Sequence, residues 1–171
     1  GGMALGSWLA SRYSLKSKSP LLIYAGVELI VGVAALVFHD VFTSLIELFY
    51  SSVLPSLGSP AAGAILKWMA ASILIMPQSI PLGMTFPLMS AGIIRRFRDT
   101  PGGSIAMLYF TNSIGASIGV LASGFWLIKL VGLPGTIFIA GLLNIVLAVT
   151  VWAIVRLDPS SDTDPIKSEQ T

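Results

Sequence analysis

Three side chains in this sequence put polar chemistry into strongly apolar surroundings: Glu28, Thr85 and Asn112. Glu28 lies in "LLIYAGVELIVGVAALVFHDVF" (21–42), eight residues in from the start of that run. On a helix rising 1.5 Å per residue, that is a depth of about 12 Å. Asn112 lies eight residues in from Ser104, and Thr85 nine residues back from Ile94. All three therefore fall about 12–14 Å from one face of the same apolar layer. A carboxylate in hydrocarbon is costly unless paired, protonated or open to a water-filled cavity, so it is a functional candidate by default. A carboxylate, an amide and a hydroxyl at one level are suited to binding a cation or an amine. Depth does not say whether they face one another. Plain structural roles stay open too: a protonated packing carboxyl for Glu28, and for Asn112 a hydrogen bond that joins helices, worth about 0.6 kcal/mol on average.

Other chemistry is excluded by composition. There is no cysteine, hence no disulfide, thiol nucleophile or Cys-type zinc site. The single histidine, His39, cannot build a His-rich metal centre. No catalytic motif is present, and neither a metal nor a cofactor is expected.

The elements that hold these residues are read from hydrophobicity. The chain is 54% hydrophobic and 11% charged, where soluble domains run to about 25% charged. Apolar runs reach about 20 residues, the length that crosses a hydrocarbon core of about 30 Å. The expected fold is all-α, a polytopic bundle with spans at 21–42, 65–94, 104–131 and 136–157. Residues 1–10 read as the C-terminal half of another span. The segment 43–63 reads as a mixed stretch with a short helix lying at the interface, and 158–171 as a polar, disordered tail. With alternating spans, loops 11–20 and 95–103 and the tail from Arg156 share one side, which carries eight of the ten basic residues. The excess of Lys and Arg makes that side cytoplasmic. The expected location is a bacterial-type plasma membrane with the tail in the cytoplasm. The lipid bilayer is then the first partner, and nucleic acid is not one, because the basic residues sit in short loops beside apolar spans.

Within this frame, "MPQSIPLGMTFPLMS" (76–90) carries Pro77, Pro81 and Pro87. In lipid a proline bends a helix rather than ending it, so these residues predict a kinked 65–94 span. Gly2, Gly6 and Ala10, and again Gly115, Gly119 and Ser123, recur every four residues. Both stripes read as close helix-packing surfaces.

Four stretches in order, "GMALGSWLASR", "YAGVELIVGVAAL", "PLGMTFPLMS" and "YFTNSIGASIGVLASGFWLIKLVGLPGT", resemble the membrane domain of the fused transporter-like/spermidine synthase family. There a multi-span domain, distantly similar to major facilitator transporters, is joined to a polyamine aminopropyltransferase domain. The resemblance covers residues 1–157. By position it singles out Glu28, Met84, Thr85, Phe86, Pro87, Tyr109, Asn112, Gly115 and Gly119. It implies a polyamine as solute, and further spans and a cytoplasmic synthase domain as partners. The synthase's Gly-rich strand–loop is absent from these 171 residues, so no catalytic residue carries over. Two expectations follow: a module that binds or transports a small cationic solute, or a membrane anchor for a synthase.

Overall fold

Three helices begin on the same two-residue signal. Ser19–Pro20, Ser59–Pro60 and Thr100–Pro101 each place a capping residue type before a proline at the first helical position. Proline there wastes no hydrogen bond, since that amide has no partner within the helix. The preceding carbonyl accepts the first helical bond, from Ile23, Gly63 and Ser104 at 3.4, 3.2 and 3.0 Å. The computed structural model describes residues 1–14, 17–56, 59–97 and 99–157. The tail 158–171 lies outside the described residues.

The helices are α1 (Gly2–Ser14), α2 (Pro20–Leu48), α3 (Pro60–Arg96), α4 (Pro101–Ala122) and α5 (Ile128–Leu157). Short wider turns, Phe49–Val53 and Ser123–Leu127, continue α2 and link α4 to α5. Among the described residues there is no strand. Three stretches are long and apolar enough to cross a membrane: Pro20–Val53, Ala61–Arg96 and Pro101–Leu157. The last spans 57 residues and takes in both sequence-expected spans 104–131 and 136–157. It is interrupted at one residue, Gly132, with φ 70° and ψ 179°.

Among the described residues, the short interfacial helix expected in 43–63 does not form an element separate from α2. α2 runs on past Phe42, and its extension and the start of α3 share the segment. The polar step at His39–Asp40 does not stop the helix, and Thr43 bonds back within it. Its hydroxyl donates to the carbonyls of His39 (3.0 Å) and Asp40 (3.1 Å). α3 likewise runs unbroken through Pro77, Pro81 and Pro87. Each proline lacks an N–H, so the carbonyls of Ile73, Pro77 and Gly83 lose their partner four residues on.

Packing divides by pairs. α1 lies on α3, α2 lies against both α3 and α5, and α4 runs along α3. The first pair meets backbone to backbone: a β-carbon on Gly6 would strike the carbonyl of Ile80, and one on Gly83 the backbone of Met3. Gly2 faces Ser79. The α2–α5 crossing is similar, with Gly32 set against the Gly141 carbonyl; an added β-carbon would stand 2.8 Å from it. Gly115 and Gly119 face open space. The buried core runs through Leu21, Tyr24, Val27 and Val31 of α2, Leu88 of α3, and Val151 and Val155 of α5.

Arg95 ties one end of the bundle together. Its guanidinium donates to the Ser17 carbonyl at 2.7 Å and the Ser14 carbonyl at 3.0 Å. It thereby caps the C-terminus of α1, where carbonyls lack helical partners and the dipole favours a cation. Replacing Arg95 with Ala removes two charge-assisted bonds, a loss of about 2 kcal/mol locally. Amide exchange at Tyr13, Ser14 and residues 17–19 is expected to speed up at least tenfold. Arg95→Lys keeps the charge without the fork and falls between. Unchanged exchange in the alanine variant would show that the clamp contributes nothing.

Candidate binding site around Glu28

Glu28 is buried, with 6% of its surface exposed, on the face of α2 that carries Tyr24, Val31, Gly32 and Ala35. The sequence places it there by spacing: residues 24, 28, 31, 32 and 35 fall on one side of a 3.6-residue repeat. Small residues at Ala25, Gly32 and Ala35 let the neighbouring helices close over the carboxyl. The Tyr24 hydroxyl, one turn earlier, interacts with it. Apart from Tyr24, the other buried residues of α2 are apolar, so α2 presents a carboxyl group on a nearly apolar face.

Thr85 lies half-buried on α3, and its hydroxyl donates to the Leu82 carbonyl at 2.9 Å. That bond is local and leaves the oxygen able to accept. Its neighbours Met84 and Leu88 pack into the cluster that contains Tyr24 and Val27. Thr85 therefore stands beside the seam between α2 and α3. Asn112 is exposed on α4. α4 makes its bundle contacts with α3, including Tyr109 edge-on to Phe86 at 6.1 Å between ring centres. The structure does not enclose Asn112 with Glu28.

The remaining sequence-selected positions are quickly placed. Pro77, Pro81 and Pro87 lie inside continuous α3. Gly2 and Gly6 sit in the α1–α3 contact, and Gly115 and Gly119 on the open side of α4. Among the described residues no group of three His, Asp or Glu side chains gathers to hold a metal.

Two contributors escaped the sequence reading. Arg95 counted only towards membrane orientation, because a contact across about 80 residues of chain has no local signature. Gly141 went unremarked because it stands alone, without a second small residue one turn away. Comparison with protein-family models, with curated proteins and with solved structures found no match.

Proposed function

We propose that this chain is an integral membrane domain that binds, and moves across the bilayer, a small cationic solute of the polyamine class. The observation that carries the reading is Glu28: a carboxyl buried among apolar side chains of a helix long and apolar enough to span a membrane. Intramembrane acids are rare, and they mark ion and substrate pathways. An amine in that site would supply a counter-charge. Thr85, at the adjoining seam, adds a polar group beside it, while Asn112, exposed on α4, stands apart.

The proposed topology has four complete crossings in an arrangement like that of major facilitator transporters. A straight 57-residue helix would be about 86 Å long, against a hydrocarbon core of about 30 Å. Pro101–Leu157 therefore crosses twice, reversing at Gly132. The hold of Arg95 on Ser14 and Ser17 supports placing both basic loops at one end, the cytoplasmic one by their charge.

The test is uptake of radiolabelled putrescine and spermidine by proteoliposomes. Glu28→Gln preserves shape and removes the charge. Uptake is expected to fall at least tenfold, with helical content and melting temperature retained. Equal uptake by wild type and variant would sink the assignment of Glu28. No uptake by either would leave the anchoring role for a synthase domain as the surviving reading.

A further inference from the structure

At the end of α2 and α3 remote from Arg95 lies an apolar groove of about 430 Å³. Leu45, Phe49 and Tyr50 form one wall; Ala70, Ala71 and Lys67 form the floor and mouth of the other. Among the described residues Lys67 is the single charged side chain of its lining, with Nζ 5.1 Å from the centre of the Tyr50 ring. The lining comes, among the described residues, only from α2, its extension and α3.

The level of this groove follows from helix length. Pro20–Val53 has 34 residues, about 51 Å of helix, which exceeds the hydrocarbon core by about 20 Å. To fit inside that core it would have to tilt by about 54°, beyond the range of about 0–40° seen for spanning helices. Counted from Pro20, about 30 Å of rise ends near Asp40, and the groove begins at Phe42. Tilted by about 40° the helix would leave the core near Ile46 instead, so the outer part of the wall, from Leu48 to Val53, stands among lipid headgroups. Apolar surface at that level is exposed to water unless something covers it.

The lining states what that cover must be. A bed of aliphatic and aromatic side chains takes a hydrocarbon chain, and a lone ammonium at its mouth takes one anion. A lysine on a flexible stem beside an aromatic ring is also the usual furniture of a membrane interface. We propose that the groove holds one phospholipid of the non-cytoplasmic leaflet, its acyl chain drawn up between α2 and α3 and its phosphate on Lys67. Ala70 and Ala71 are the opening for the chain, since larger residues there would close the bed.

Native mass spectrometry of the full chain, reconstituted with phosphatidylglycerol and then stripped by detergent washing, tests this. Wild type is expected to retain one lipid. Lys67→Ala and Ala71→Trp should each lower occupancy at least fivefold. Ser72→Trp, on a residue outside the groove lining, should leave it unchanged. Diacylglycerol with the same chains should bind at least tenfold more weakly than phosphatidylglycerol. Equal binding of the two would overturn the phosphate contact. Unchanged occupancy in both groove variants, with melting temperatures matching wild type, would overturn the site.

Discussion

Gly6→Ala is expected to destabilise the protein, although alanine is the better helix former by about 1 kcal/mol. The added methyl would meet the backbone carbonyl of Ile80, which cannot rotate aside as a side chain can. Either α1 lifts from α3 or both backbones shift, and overpacking of this kind costs about 1–3 kcal/mol. Set against the propensity gain, this leaves a net loss of up to about 2 kcal/mol. Gly26→Ala provides the opposite sign. Nothing lies within 4 Å of a β-carbon at Gly26, so only propensity acts and stability should be unchanged or slightly raised. Reversible unfolding in mixed detergent, followed by helical circular dichroism, reads both. If Gly6→Ala matched Gly26→Ala, the close contact of α1 with α3 would be refuted.

Gly132→Ala is the second substitution with a large expected effect. At φ 70° and ψ 179° the backbone occupies a region that is essentially glycine-only, where another residue costs about 1–3 kcal/mol. The local structure is built around that conformation. The Thr136 hydroxyl donates to the Gly132 carbonyl at 2.8 Å. Gly135 packs where a β-carbon would stand 2.7 Å from that of Val131. With alanine at 132 the kink must be redrawn, and the helical segments on either side of it lose their fixed relation. Since the chain has no cysteine, spin labels can be placed on single introduced cysteines. Labels at exposed Ile118 and Val149 should give a narrow distance distribution in wild type and a broad one in Gly132→Ala. The neighbouring Leu133→Ala, at an exposed side chain, should leave it narrow. A narrow distribution in Gly132→Ala would show that the turn does not depend on glycine.

These glycines also show where sequence reasoning succeeds and stops. Helical spans were legible because an apolar run of about 20 residues has few other uses. Their ends were not. α2 passes through His39, Asp40 and Thr43 because a helix keeps its backbone bonded internally whatever the side chains do, and hydrophobicity alone does not record that. Gly2 and Gly6 lie against α3, while Gly115 and Gly119, at the same spacing, face open space. A small-residue stripe permits close approach; the approach itself needs a complementary surface, which Ser79, Ile80 and Gly83 supply on α3. For the candidate site, depth placed Glu28, Thr85 and Asn112 at one level, but depth fixes only one of three coordinates. Azimuth separates exposed Asn112 from buried Glu28.

The two backbone-to-backbone contacts have a mechanical consequence. Helices that touch through glycine and carbonyl cannot slide without collision, so α1 with α3, and α2 with α5, behave as two stiff pairs. Between them the join is made of side chains: Leu21 lodged in the notch at Gly92, and Leu88 set against the cluster of Tyr24 and Val27. Rotamers can change where backbones cannot. Compliance is therefore concentrated in that one seam, one turn from Glu28, and rocking of one pair against the other would open the molecule there first.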